Sequence, residues 1–279
     1  LSEPALLPGP PRENVFGHAK KARLVLAALG RLRAERGRGL EVLDVGCGNG
    51  EALTRFLGTG GDRVLGIDTH GPSIDYATRN FGTASLEFRQ QPAESLLREG
   101  KSFDAIVFAD LLEHLPEPSP VLEAGARLLR PGGRILVSVP NGYGPFEIES
   151  WLSRLPLLGR ASLWAIDHLV ALLNRFVFPG AWTEVVTPGD LPYNEDSGHV
   201  QFYTRSRLLA LARGAGLELV RGTGLSWLSG PYTNYLFAPV HRFCDLNARL
   251  ADFLPPFMLS AWFFEFGHAR PTPAGMPQP

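Results

Sequence analysis

The run EVLDVGCGNG, Glu41 to Gly50, limits what this chain can fold into more than any other stretch. Val42, Leu43 and Val45 read as an apolar strand that carries an acid at Asp44 and then breaks into glycines at positions 46, 48 and 50. A buried parallel strand emptying into such a turn lets backbone N–H groups approach a ligand closely, because glycine has no Cβ to obstruct it. The spacing predicts a helix from about Glu51 to Leu57 whose N-terminus points at the same place. A further strand, Arg63 to Ile67, ends in Asp68, about twenty residues past the turn, where an α/β nucleoside site places the carboxylate that grips ribose hydroxyls. A lone glycine triplet is more often a tight turn with no ligand. Asp68 at that spacing argues for a site.

The dinucleotide spacing G-x-G-x-x-G is not met, since Glu51 stands where the third glycine belongs. Its charge would also oppose a pyrophosphate at the helix N-terminus. A GCGNG turn suits a ligand without phosphate, and S-adenosylmethionine is such a ligand. Four segments carry a family resemblance, in order and in register: VLDVGCGNG, VLGID, FDAIVFADLLEHL and LLRPGGRILVSVPN. On them the chain resembles the class I S-adenosylmethionine-dependent methyltransferases from about Asn14 to Pro239. The run Asp110-Leu111-Leu112-Glu113-His114 is most similar to that of ubiquinone-biosynthesis-type O-methyltransferases, which carry acid-x-x-Glu-His there.

The resemblance implies an α/β fold, a Rossmann-like seven-stranded, mostly parallel sheet with an inserted helical lid, and S-adenosyl-L-methionine as cofactor. It implies cofactor contacts at Asp44, Gly46, Cys47, Gly48 and Gly50 on the first turn, and at Asp68 and Thr69 after the second strand. Ala93 and Glu94 follow the third strand, near the adenine, and Asp110 and Leu111 follow the fourth, near the methionine end and the methyl group. Asp68 could instead be a plain N-cap, and Glu94 could cap its own helix. In some relatives the acid-x-x-Glu-His run is reported to hold magnesium. Here the first acid is Asp, shorter than the Glu usual there, and histidine is not a preferred magnesium ligand, so no metal ligand is assigned.

Methyl transfer is an in-line displacement at carbon, and alignment alone supplies much of its rate. A hydroxyl nucleophile must also lose its proton, most often to a histidine. His199, just after the lid, ranks first, His114 on the cofactor loop second, and His18 in the N-terminal helix third. Tyr143, Phe146, Trp151, Trp164 and Trp182 would line an apolar acceptor pocket or form the lid's own core.

The 279 residues fit one large domain or a domain with an insertion, and 44% hydrophobic with 20% charged is ordinary for a globular chain. A net charge of −1, from 27 basic and 28 acidic residues, argues against a nucleic-acid partner. Two cysteines, Cys47 and Cys244, make no disulfide framework and no zinc spacing, so a cytoplasmic setting is expected. Residues 1–13 read as a disordered lead-in without a signal peptide and 14–240 as the methyltransferase domain with a lid at 142–198. Residues 241–266 read as a helical extension and 267–279 as a disordered tail.

A helix is expected over Val15 to Arg36, with Lys20, Lys21 and Arg23 as a solvated edge. Strands are expected at Glu41–Val45, Arg63–Ile67, Leu86–Arg89, Ala105–Phe108 and Arg134–Val139, the last entered by a turn at Pro131-Gly132-Gly133. Later elements are a helix near Leu163–Phe176, a helix capped by Thr204, a strand near Leu217–Arg221 and a last strand at Tyr235–Ala238. Phe243, Leu246, Leu250 and Phe253 form an apolar stripe. Phe257, Trp262, Phe263 and Phe264 could meet a membrane surface or a second copy of the chain, although packing on its own sheet is the plainer reading.

The function expected is methyl transfer to a small, fairly apolar acceptor, at a hydroxyl oxygen. An N- or C-methyltransferase of the same fold is the first alternative. A catalytically silent, cofactor-binding partner subunit is the second.

Overall fold

In a computed structural model, residues 12–177 and 198–269 are described. Seven strands form one sheet: β1 Glu41–Val45, β2 Arg63–Asp68, β3 Leu86–Gln90, β4 Phe103–Ala109, β5 Leu129–Pro140, β6 Leu217–Ser226 and β7 Ala261–His268. Their order is β3-β2-β1-β4-β5-β7-β6. The first five run parallel, and β7 enters antiparallel between β5 and β6. The helices are α1 His18–Arg36, α2 Gly71–Phe81, α3 Ser95–Arg98, α4 Pro118–Leu128 and α5 Pro145–Ser153. They continue with α6 Pro156–Phe176, α7 Arg205–Gly214, α8 Pro231–Phe237 and α9 His241–Leu250.

Side chains alternate across each strand, and both faces of the sheet are covered. Val42, Val64, Ala105, Val107 and Leu136 pack with Val25 and Leu29 of α1 and Ile74 and Ala77 of α2. Leu43, Leu65, Ile106, Ile135 and Val137 pack with Leu96 of α3, Leu122 of α4 and Leu208 of α7. The helix α7 starts as expected at Thr204, whose hydroxyl accepts the Arg207 N–H at 3.2 Å. The insertion contributes α5 and α6, and α5 is tied to α8 where Glu149 accepts the Thr233 N–H at 2.9 Å.

Several expectations are corrected. The stretch expected to form the last strand, Tyr235–Ala238, lies in and just after α8, and the seventh strand is β7. The segment Trp262-Phe263-Phe264-Glu265-Phe266 has residues to bury on both faces, and all five are buried. Each large apolar side chain so placed stabilises by about 1.5–3 kcal/mol, which 235–238 cannot match with Tyr235 exposed. Residues 241–266 are therefore not a helical extension only, and a boundary at 240 cuts through the sheet. Of the C-terminal aromatics, Trp262, Phe263 and Phe264 are core, while Phe257 is exposed. On α9 the buried residues are Cys244, Asn247 and Ala248, not the expected stripe: Leu246 and Phe253 are exposed.

The helix expected at Glu51–Leu57 is a single 3-10 turn, Thr54–Phe56. Thr54 turns its hydroxyl back to Asp44 at 2.7 Å, which holds the segment close under the glycine loop. Pro131, Gly132 and Gly133 lie inside β5, where the pairing register with β4 shifts, and Gly132 takes φ 73° there. At the N-terminus, Glu13 belongs to the fold and not to a lead-in. It is buried, accepts the Ala19 N–H at 3.1 Å and pairs with Arg23 at 2.8 Å. Trp182 and most of the Val186–Gly198 stretch lie outside the described residues, as do residues 1–11 and 270–279.

Candidate functional site

The strand order reverses between β1 and β4, and the crevice beyond the carboxyl ends of those strands is where an open α/β sheet receives a ligand. The loop after β1 is fastened at this point. Gly46 N and Cys47 N both donate to Ile67 O, at 2.8 and 3.0 Å. Gly46, Gly48 and Gly50 have φ of 72°, 54° and 75°, backbone that side chains with a Cβ rarely adopt. A Cβ built on Gly48 meets nothing within 4 Å, whereas one on Gly50 would press on Phe88 at 3.1 Å. Gly48 thus faces open space, and Gly50 serves packing.

Asp68 closes the far side of this loop. Its Oδ2 accepts Gly48 N at 2.9 Å, and its Oδ1 accepts His70 N at 2.8 Å. Each oxygen keeps a second lone pair for a ligand hydroxyl. It is not the N-cap of α2, a position held by His70, and Glu94 makes no side-chain cap to α3. Thr69 is exposed, Ala93 is buried and Glu94 is half-buried. Asp44 is buried beneath the loop, and burial pushes its carboxyl up to about 7 despite the Thr54 hydroxyl. Burial also pushes the Cys47 thiol up, so it is not a reactive thiolate.

Asp110 follows β4 with φ 52°, the positive φ found outside glycine among the described residues. Four bonds hold that strained residue. Lys21 Nζ donates to Oδ2 at 2.5 Å and Ser138 Oγ to Oδ1 at 2.6 Å. The Asp110 N–H is shared between Ser138 O and Oγ, at 3.0 and 3.1 Å. Burial pushes the Asp110 carboxyl up, but the Lys21 ammonium, with help from His18 and the hydroxyl, outweighs it and holds the group at about 2. The neighbouring Leu111 packs its side chain over Gly46. Lys20 and Lys21 are therefore not a solvated edge: both are buried, Lys20 bonding Ala248 O at 2.5 Å and Asp252 at 2.8 Å. Only Arg23 of that trio is exposed.

Beside Asp110 opens a cavity of about 140 Å³, lined among others by Phe16, Phe146 and Leu225 and by His18, His114 and His199. His199 donates from Nδ1 to Glu147 Oε1 at 2.7 Å, which leaves its Nε2 lone pair for the cavity. His114 packs edge-on against it, with ring centres 5.1 Å apart, and its Nδ1 bonds Gly198 O at 3.3 Å. His18 is disposed differently. Asn14 Oδ1 accepts two backbone N–H groups, so Asn14 Nδ2 must donate to His18 Nδ1, at 3.0 Å. Burial and then the Lys21 ammonium push His18 down to about 4, so it is a neutral ring whose lone pair is already used. Of the expected aromatics, Phe146 lines the cavity, whereas Tyr143, Trp151 and Trp164 are exposed.

Sequence reasoning missed Lys21, Ser138, Phe16 and Glu147. For Lys21 a signal existed, since it stands four and seven residues before Val25 and Ala28, on the helix's buried stripe. Magnesium does not fit this place. The donor atoms grouped beside it are one carboxylate oxygen and two imidazole nitrogens, whereas magnesium demands an oxygen octahedron.

A family model described as a methyltransferase domain matches residues 16–221. A ubiquinone biosynthesis O-methyltransferase of Xylella fastidiosa is 42% identical over 107 residues, covering 37% of this chain and 43% of that protein. The corresponding Paracidovorax citrulli enzyme is 38% identical over 108 residues, covering 37% and 45%. The chain thus matches less than half the length of these curated relatives. Among solved structures, an S-adenosylmethionine-dependent methyltransferase of Clostridium acetobutylicum aligns with TM-score 0.51 at 13% identity, covering 90% of this chain and 92% of that one. The Rickettsia typhi protein PKMT2 aligns with TM-score 0.55 at 16% identity, covering 97% and 56%. These likenesses are of fold.

Proposed function

The chain belongs to the methyltransferase-domain family, and on that premise we propose that it transfers the methyl group of S-adenosylmethionine to a hydroxyl oxygen of a small, fairly apolar acceptor. The cofactor supplies an electrophilic methyl carbon on a sulfonium. Support for its place comes from the open surface over Gly48 and from the second lone pairs of Asp68, which suit the ribose diol. Thr69, Ala93 and Glu94 flank the adenine end, and Asp110 and Leu111 the methionine end.

The observation that carries the acceptor reading is the cavity beside Asp110, where two imidazoles face aromatic and aliphatic walls. His199 takes the hydroxyl proton on Nε2, and Glu147 fixes its ring and stabilises the imidazolium that results. Bound here, S-adenosylmethionine would give its methyl carbon to that oxygen as the carbon–sulfur bond breaks, with S-adenosylhomocysteine as the leaving group. Phe16, Phe146 and Leu225 keep water from the reacting oxygen. Relatives named O-methyltransferases support an oxygen acceptor.

The test has two arms. S-adenosylhomocysteine should raise the melting temperature of the full chain and NAD should not, because only a ligand selective for the native state stabilises it. Methyl-labelled cofactor should then label members of a panel of phenols and alcohols. Labelling confined to amines or carbon acids would replace the oxygen reading with the alternative chemistry.

A further inference from the structure

Two side chains of α1 bring unspent hydrogen-bond donors to the cavity beside Asp110. Lys21 is buried, with its side chain 5% exposed, and its ammonium carries three hydrogens. One goes to Asp110 Oδ2, and the other two meet no acceptor among the described residues. A buried ammonium with donors unmet is costly, and the cost calls for a further acceptor. His18 stands three residues earlier, on the same face of the helix. Its Nδ1 lone pair is taken by Asn14, so the ring hydrogen is on Nε2, which also meets no acceptor among the described residues.

Both donors are held in place. Asp110 fixes the Lys21 ammonium and is itself held by Ser138. The His18 ring stacks on Phe16 with centres 5.7 Å apart, and Asn14 Oδ1 accepts the N–H groups of both residues. Donors set beforehand in a site poor in water suit an oxygen that only accepts. A carboxylate offers two such oxygens, one for each residue, and its bond to the ammonium is charge-assisted. The charges around it allow this. Lys21 and Asp110 offset each other, and Glu147 is paired with His199. Burial, and after it Asp110, push the Glu113 carboxyl well up, which works against a second negative charge there.

We infer that the acceptor carries a carboxylate beside the hydroxyl to be methylated, and that Lys21 and His18 bind this carboxylate. The inference rests on the reading of the cavity as the acceptor site. With about 140 Å³ to fill, the two groups stand on neighbouring carbons of a small apolar scaffold, as in an ortho-hydroxy aromatic acid. In water the hydroxyl of such an acid bonds its own carboxylate, which holds the proton back. Lys21 and His18 take the carboxylate away, and the hydroxyl is freed to give its proton to His199 Nε2.

The test is binding to the full chain saturated with S-adenosylhomocysteine, followed by calorimetry. Two probes are compared: salicylate, and ortho-cresol, which keeps the ring and the hydroxyl but has a methyl in place of the carboxylate. Salicylate should bind about 10–100-fold more tightly, as expected for hydrogen bonds to a charged group. Lys21→Met should abolish that preference and His18→Phe, which keeps the stack on Phe16, should reduce it. Circular dichroism reports folding, and if Lys21→Met does not fold, His18→Phe carries the comparison. No binding of salicylate, equal binding of the two probes, or a preference untouched by the substitutions overturns the inference. So does a folded Lys21→Met that has lost S-adenosylhomocysteine, because Lys21 then serves the cofactor. A Lys21-dependent preference for salicylate, with no hydroxyl compound accepting label from the cofactor, overturns the functional reading and leaves the carboxylate site standing. Methylated hydroxyls with no preference for a neighbouring carboxylate overturn the carboxylate site alone.

Discussion

Asp68 serves the fold and, in the function proposed, the ligand as well. It spans from the end of β2 to the glycine loop, so Asp68→Ala removes a charged acceptor from the ligand and from Gly48 N together. Losing a hydrogen bond to a charged group costs about 1.5–3 kcal/mol, and S-adenosylhomocysteine affinity should fall by that much or more. Asp68→Asn keeps one acceptor and should lose less. Wild-type affinity for Asp68→Ala in calorimetry would remove the ribose role. At His199 the expected pattern is the reverse. Removing a base lowers turnover by ~10²–10⁴-fold once an acceptor is known, with cofactor affinity unchanged in His199→Ala. Asp68 was readable from spacing because the loop and the strand that position it are nearly contiguous in the chain. Glu147 was not, since it meets His199 across 52 residues, most of them in the insertion.

At the scale of elements, α1 is fastened to the site by Lys21. The pair with Asp110 crosses from helix to strand end, with side-chain exposures of 5% and 37%. Breaking a fully buried pair costs about 3–5 kcal/mol, and Asp110's access to solvent reduces this to about 1–3 for Lys21→Met. Urea unfolding measures it, and in an Asp110→Asn background the same substitution should cost less, because the stranded charge is gone. Equal costs in both backgrounds would show that the ion pair is not what ties α1 down. The parallel strands were legible as apolar runs, since both of their faces are buried. The seventh strand was not, because Trp262 to Phe266 is an unbroken buried run whose length suits a strand or a helix, and only pairing with β5 and β6 decides. The glycine loop offered the opposite case: its turn was readable from the glycines, but the helix after it shrank to one turn because Thr54 bonds Asp44.

For the whole molecule, three groups near the site shape stability against pH. Among the described residues no helix is long and apolar enough to cross a membrane. Asp44 releases its proton near 3.8 when unfolded and near about 7 when folded, so the folded chain holds the extra proton between those values. Stability from this group falls as pH rises through that window. His18 acts in the opposite sense: lowered from 6.5 to about 4, it removes stability as pH falls from 6.5 to 4. Asp110, held at about 2 against 3.8 unfolded, removes stability only as pH falls below 3.8. Across the shared window Asp44 and His18 nearly cancel, so these groups leave the cofactor-free protein with a flat profile there. Asp44→Asn should expose the hidden slope. The amide oxygen can still accept the Thr54 hydroxyl, so packing is kept while the titration is removed. Unfolding free energies of the two proteins, measured with urea from about pH 4 to about pH 8, should agree at the acid end and diverge with rising pH. The variant should gain on the wild type until about pH 7 and hold a constant lead of a few kcal/mol above it. A difference that does not change with pH would mean that Asp44 is ionised in the folded chain throughout, and that the carboxylate beneath the glycine loop is balanced by charge and not by a proton.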